Sequence, residues 1–293
     1  MACSPESPVI VCGCQRSGTT LLARVLQSHP RSAFGVEAAV LRYALVWFYD
    51  LATSRPAFRN LRMTEFLHTL ERLGGATGAP DRQAIRRNAE QVLVSYLEDG
   101  RLEAWAEAMA REAFLRQLCY DIHTFGLEEP LFWGDKYPQY VFQLDAIQAI
   151  FPSARFVFLR RHPFDTMESL YRYRNDRQRP GGGMRFTIED CRTQWEEWNL
   201  AWEFGKNRLD RRAVFELPYE SLLGDPEGTL AALSDFIGAP LLDAAEVRAM
   251  VHKMDQRNLG KWRGSAHAGL VAGCARTPTL ARLCTLYGYA LDA

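Results

Sequence analysis

Lysine is scarce in this chain, with four against thirty-one arginines, so a lysine at a motif position is more informative than usual. No run of about eighteen or more apolar residues exists, which excludes an obvious membrane-spanning helix. Residues 1–8 are too short and too polar for a secretory signal, so the expectation is a cytoplasmic protein with no membrane partner. Neither sign of charge is in excess, at 35 basic and 35 acidic residues, so net charge leaves no footprint for nucleic acid. The cysteines, Cys3, Cys12, Cys14, Cys119, Cys191, Cys274 and Cys284, form no C-x-x-C pair and no Cys/His spacing suited to zinc. They read as reduced core thiols, and no metal site is expected. Repeats and low-complexity tracts are also lacking. The 293 residues, 47% of them apolar, suffice for one α/β domain spanning 1–293 with a helical insertion.

The most informative stretch is Val9 to Leu22. A β-branched run ends at Gly13, a turn of small residues follows, and an apolar-periodic segment through Leu21, Leu22, Val25 and Leu26 runs until Pro30. Strand, loop and helix in that order hold an anion, because the amides of Arg16 to Thr20 lie at a helix N-terminus. Gly13 to Thr20 has the spacing of the nucleoside-triphosphate loop G-x-x-x-x-G-K-[ST], except that Thr19 stands where the lysine belongs. The nearby cation is instead Arg16. An NTPase needs that lysine, together with a Mg²⁺ held by the next hydroxyl and a distant Asp, so ATP hydrolysis is disfavoured.

Further along, Ser32 to Glu37 reads as extended and Ala38 to Leu51 as an aromatic-rich helix. Residues 53–130 read as a helical insertion with breakers at Pro56, Gly74-Gly75 and Gly78-Ala79-Pro80, and with amphipathic runs at Ala84–Leu97 and Leu102–Phe125. That insertion is the expected acceptor side. Leu131–Gly134 is a strand candidate delivering Asp135-Lys136-Tyr137-Pro138, followed by a helix over Tyr140–Ile150. Arg155–Leu159 is the clearest strand and leads into a helix from Pro163 to about Arg174. A basic stretch, Pro180–Gly183, a Trp-rich helix over Thr187–Asn207 and a strand at Ala213–Leu217 follow, with Tyr219 at its end. Asp255 to Gly273 reads as a polar loop. Strands alternating with helices predict a three-layer α/β fold, a P-loop-like parallel sheet flanked by helices, with ligands beyond the strands' carboxyl ends.

Arg16-Ser17-Gly18-Thr19-Thr20 resembles the 5′-phosphosulfate loop of sulfotransferases that use 3′-phosphoadenosine 5′-phosphosulfate (PAPS), in the form found in the bacterial and tyrosylprotein branches. Arg161-His162-Pro163-Phe164-Asp165-Thr166-Met167-Glu168-Ser169 resembles the family's 3′-phosphate element, R-x-P-x-D-x-x-x-S. The resemblance implies that Arg161 and Ser169 meet the 3′-phosphate that distinguishes PAPS from ATP. Glu37 lies twenty-one residues beyond Arg16, the offset of the catalytic glutamate in the tyrosylprotein branch, although Ala38-Ala39 departs from that motif. Lys136 matches the K-T-P or K-D-P element, and Pro138 stands where cytosolic phenol sulfotransferases carry a catalytic histidine. Tyr219-Glu220-Ser221-Leu222 resembles the family's Y-E-D-L segment, and Leu259-Gly260-Lys261-Trp262-Arg263 the loop that closes over the nucleotide.

The resemblance implies transfer of a sulfuryl group from PAPS to a small-molecule hydroxyl, leaving adenosine 3′,5′-bisphosphate. Glu37 would be the general base, and Arg16 and Lys136 would stabilise the leaving phosphate without an obligatory metal. Ser17, Gly18, Thr19, Thr20, Arg161, Ser169, Tyr219, Lys261 and Trp262 would complete the nucleotide site. Aromatic residues Tyr43–Tyr49 favour an aromatic or hydrophobic acceptor. Bland readings stand beside these: a helix cap for Glu37, a surface lysine for Lys136, a core aromatic for Tyr219, and core packing for Trp195, Trp198 and Trp202. His123 and His267 are reserve bases. The rivals are a small-molecule kinase with a divergent loop and a non-catalytic nucleotide-binding regulator.

Overall fold

The computed structural model describes residues 3–37, 40–41, 80–100, 111–176, 185–254 and 256–291. Most of the helix expected at 38–51, the breakers at 56–79, the first part of the 102–125 run and the 180–183 stretch lie outside them.

Five strands form one parallel sheet: β1 (Val9–Cys12), β2 (Ser32–Val36), β3 (Phe132–Lys136), β4 (Arg155–Arg160) and β5 (Val214–Pro218). Their spatial order is β2-β3-β1-β4-β5. The chain therefore leaves β1 toward one edge and later returns to build the other, and the loop after β1 lies at the switch point where parallel sheets open a crevice. Register brings the site residues to one end. Val11 pairs with Lys136 and Cys12 with Phe158. Glu37 extends the β2–β3 ladder one step by donating its amide to Lys136 O at 2.7 Å. β1 and β3 approach closely because Gly134 has no side chain: a Cβ there would stand 2.0 Å from Val9 O.

Side chains alternate along β4, so Phe156 and Phe158 enter one core while Val157 and Leu159 enter the other. The first core lies under α2 (Pro80–Glu98), α3 (Arg111–Thr124), α4 (Leu144–Ile150), α5 (Pro163–Asn175) and α6 (Ile188–Gly205). It takes Trp195 and Trp202, the latter stacked on Phe158 at 4.4 Å. The expectation of core packing for these tryptophans agrees with the structure. All seven cysteines belong to this core or pack against it, and none to the second. The second core lies under α1 (Thr19–Gln27), α7 (Tyr219–Gly224), α8 (Pro226–Ile237) and α9 (Ala245–Val251).

Three expectations change. The helix expected over Tyr140–Ile150 is a 3₁₀ turn, Pro138–Phe142, followed by α4, because Tyr140 is drawn under the sheet where its hydroxyl donates to Asp135 Oδ2 at 2.7 Å. Tyr219 opens α7 rather than ending β5. The polar loop after residue 255 contains 3₁₀ turns at Gln256–Asn258 and Lys261–Gly264, then α10 (Ala268–Ala272). A final helix, α11 (Pro278–Tyr287), is capped by Thr277, whose hydroxyl accepts from Leu280 N.

Candidate active site

Three residues of the loop after β1 have positive φ, the first being Gly13 at 149°. Gly18 adopts φ 102° with Tyr219 so close that a Cβ would stand 2.3 Å from the ring. Arg16 adopts φ 70° without being glycine, a conformation that costs about 1–3 kcal/mol and commonly marks functional turns. Ser17 helps to hold the turn's shape: its amide and its hydroxyl both donate to Cys14 O, at 3.1 and 2.6 Å. Thr19 and Thr20 open α1, where first-turn amides have no intrahelical acceptor.

Lys136, at the end of β3, is 0% exposed. Its ammonium donates to Thr20 Oγ1 at 3.0 Å and to Glu37 Oε1 at 2.5 Å. This removes the surface-lysine reading. Glu37 is the second non-glycine residue with positive φ, 56°, and its carboxylate is one-third exposed. One carboxylate oxygen is thereby fixed by a buried cation while the group keeps access to solvent. Whether Glu37 also caps the helix expected after it lies outside the described residues.

The element after β4 forms a second cluster. His162 caps α5, and Pro163 occupies the first turn. Arg161, 5% exposed, donates to Arg16 O at 3.3 Å and to Asn258 O at 2.8 Å, with its guanidinium 4.5 Å from the Tyr219 ring centre. Its Nε is buried with no hydrogen-bond partner. Ser169, two turns along α5, accepts from Arg16 Nε at 3.1 Å, and Arg16 also lies over Tyr173 at 5.1 Å. Arg16 thus joins the first loop to the second element.

Asp165 has a role that local sequence concealed. It accepts from Gly260 N at 2.8 Å and Trp262 N at 3.1 Å, pinning the 258–263 segment onto α5 across ninety-five residues of chain. Trp262 is buried edge-on against Phe164 at 4.9 Å and anchors the segment. Lys261 is the member of the pair near the cations. Burial first, then the charges of Arg172 and Arg161, hold its ammonium below the ordinary lysine range. Tyr219 packs in the core: burial raises its phenol, while its ring supports Gly18 and Arg161.

Of the reserve bases, His123 is excluded by position. It is buried against Trp133 with Nδ1 2.7 Å from Cys119 O, and burial lowers its pKa. His267 faces Glu168 at 3.8 Å and packs edge-on against Tyr171. Next to Arg16 in the chain, Gln15 accepts at Oε1 from Arg174 Nη2 at 2.8 Å and from Gln194 Nε2 at 3.2 Å, contacts that the sequence reading did not foresee.

An orphaned Arg161 Nε, a Ser169 hydroxyl whose proton is free to donate, and Lys261 held beside other cations all suit a phosphate at this second cluster. The α1 N-terminus with Lys136 and Arg16 suits another. Two anion positions, one at each cluster, fit a nucleotide carrying both 5′- and 3′-phosphates.

Comparisons with known proteins show the family and the fold. The profile of the sulfotransferase family matches residues 8–243. Two curated relatives, omega-hydroxy-beta-dihydromenaquinone-9 sulfotransferase Stf3 of Mycobacterium tuberculosis and of Mycobacterium bovis, are each 24% identical over 262 residues. The match covers 80% of this chain and 63% of theirs, so the chain spans less than two thirds of those relatives. Among solved structures, the sulfotransferase domain from the curacin biosynthetic pathway superposes with a TM-score of 0.61 at 18% identity, covering 100% of both chains. The sulfotransferase domain of the Synechococcus PCC 7002 olefin synthase gives 0.58 at 19% identity, covering 99% of this chain and 97% of that one.

Proposed function

The chain belongs to the sulfotransferase family, and from that premise we propose that it transfers a sulfuryl group from PAPS to the hydroxyl of a small molecule, with Glu37 as general base. The observation that carries this reading is Lys136, held between Thr20 Oγ1 and Glu37 Oε1 where β1, β2 and β3 end. When bound, PAPS supplies the electrophilic sulfur and a nucleotide phosphate as leaving group. The chain's residues supply the rest. Arg161, Ser169 and Lys261 hold the 3′-phosphate, and the amides opening α1 hold the 5′ side.

Glu37 takes the acceptor's proton as its oxygen closes on sulfur. Because the accepting carboxylate is the one paired to Lys136, proton uptake weakens that pair and releases the ammonium toward the negative charge growing on the departing oxygen. Base and electrophile are therefore coupled through one contact. Lys136 on Thr20 also occupies the hydroxyl that nucleoside-triphosphate loops turn toward Mg²⁺, which distinguishes the site from a kinase. The relatives' name describes a hydroxylated acceptor, and that class is carried over here. Incubation with PAPS and a panel of hydroxylated acceptors, read as the sulfuryl mass increment, tests the reading. Product is expected with wild type and not with Lys136→Met. Turnover by Lys136→Met at the wild-type rate would remove the coupled pair from the mechanism.

A further inference from the structure

The chain leaves β4 past its last register pairs, Cys12 with Phe158 on one side and Arg160 with Pro218 on the other, so the peptide linking Arg161 to His162 lies beyond the sheet's ladders. Its two polar groups are nevertheless both taken, and by side chains. Arg161 O accepts from Trp195 Nε1 at 3.2 Å, and His162 N donates to Glu220 Oε1 at 2.8 Å. The root of Arg161 is thereby gripped from α6 on one edge and from α7 on the other. At its far end the guanidinium rests 4.5 Å from the ring centre of Tyr219, so two neighbouring residues of α7 hold both ends of the same side chain.

Glu220 is held in turn. Its Oε2 accepts from Tyr289 Oη at 3.0 Å. Burial, then the charge of Glu220, push the Tyr289 phenol far above the ordinary tyrosine range, so it stays a donor. Tyr289 belongs to the stretch after α11, which is fastened to the end of β4. Arg160 Nη1 donates to Tyr287 O at 2.8 Å, and the Arg160 guanidinium lies 4.8 and 5.8 Å from the ring centres of Tyr287 and Tyr289. His162 closes the circuit: its Nδ1 accepts from Phe164 N at 3.3 Å, which leaves the proton on Nε2 to donate to Ala290 O at 3.0 Å. Both residues flanking Arg161 are therefore tied to residues 287–290, and His162 is tied a second time through Glu220.

A long cationic side chain with an unpartnered buried Nε gains most from being set in place before its anion arrives, because its ordering then belongs to folding and not to binding. We infer that Glu220 and Tyr289 are positioning residues for the 3′-phosphate: they fix the peptide behind Arg161 and so aim its guanidinium. The inference rests on the sulfotransferase reading, and it gives a task to the glutamate of Tyr219-Glu220-Ser221-Leu222, which touches neither anion position itself.

The test reads two ligands on each preparation: adenosine 3′,5′-bisphosphate by calorimetry, and adenosine 5′-monophosphate, which lacks the 3′-phosphate, by saturation-transfer NMR titration. Wild type should bind the bisphosphate more tightly. Glu220→Leu, which fills the place without an acceptor, should weaken the bisphosphate by about tenfold, the scale of losing one hydrogen bond to a charged group, and leave the monophosphate within about twofold. Tyr289→Phe keeps the ring against His162 and removes only the hydroxyl. It should weaken the bisphosphate alone by about threefold, and it serves if Glu220→Leu fails to fold. Glu220→Gln keeps an oxygen for His162 N and an amide that can donate to Tyr289 Oη, so it should restore most of the loss. A drop shared equally by both nucleotides would make Glu220 an ordinary fold contact and overturn the inference. So would an unchanged bisphosphate affinity in either variant, or a loss in Glu220→Gln as large as in Glu220→Leu. The underlying reading fails differently: wild type itself would not prefer the bisphosphate.

Discussion

At the scale of single residues, the Glu37–Lys136 contact changes what mutagenesis can separate. A glutamate acting only as base could be replaced without loss of stability, but Glu37 is the anion beside a wholly buried ammonium. Glu37→Ala should therefore lower stability by part of the about 3–5 kcal/mol typical of breaking a buried pair, reduced because the carboxylate is one-third exposed. Glu37→Gln keeps an acceptor for Lys136 and is the cleaner probe. It should lose turnover by about 10²- to 10⁴-fold while binding nucleotide close to normally. Turnover per folded molecule near wild type would return the search for a base to His267. At the second cluster, Arg161→Ala should weaken adenosine 3′,5′-bisphosphate by about 2–3 kcal/mol, measured calorimetrically. ATP, lacking the 3′-phosphate, should be nearly indifferent to the change.

Among elements, the 258–263 segment is the one held by side-chain chemistry more than by backbone ladders. Asp165→Ala removes the acceptor of both Gly260 N and Trp262 N and should speed hydrogen exchange across 258–264, with nucleotide affinity falling as Lys261 and Asn258 lose their place. Unchanged exchange there would mean that Trp262 and the Arg161–Asn258 bond suffice to anchor the segment. Local sequence revealed the strands well, because β-branched and aromatic runs such as Arg155–Leu159 have one reading in a buried parallel sheet. Motif spacing brought Arg16, Lys136, Glu37, Arg161 and Ser169 into view, and the sheet register sets the first three at its carboxyl end. What stayed hidden were contacts with no local periodicity: Asp165 to Gly260, Arg16 to Ser169, and Arg174 with Gln194 on Gln15. The bond from the Ser17 hydroxyl to Cys14 O was hidden for a related reason, since a small polar residue in such a loop looks the same whichever way its hydroxyl turns.

For the whole molecule, ligand linkage and layer structure make separate predictions. Adenosine 3′,5′-bisphosphate at about 100 times its Kd should add about 2.7 kcal/mol of stability, visible as a higher melting temperature, with ATP giving far less at equal concentration. Saturating chelator should leave turnover intact, because Lys136 holds the Thr20 hydroxyl and the proposed mechanism gives the charge on the leaving phosphate to cations of the chain. The pH dependence has a defined sign. The free chain holds Lys261 below its ordinary value, and a bound phosphate favours the charged form, so binding takes up a proton. Bisphosphate affinity should be full below the free-state value and decline as pH rises through it toward the bound-state value. Lys261→Met should flatten that decline. The placement of all seven thiols on one side of the sheet has a further consequence. Alkylation timed against native-state opening becomes a one-sided clock: it registers separation of the tryptophan-rich layer and is blind to the layer under α1 and α8. Cys3, half-buried, should react first and alone, and the six buried thiols should follow only when that layer parts. If they then react together, the layer opens as one cooperative unit; if Cys119 leads Cys191, α6 outlasts α3.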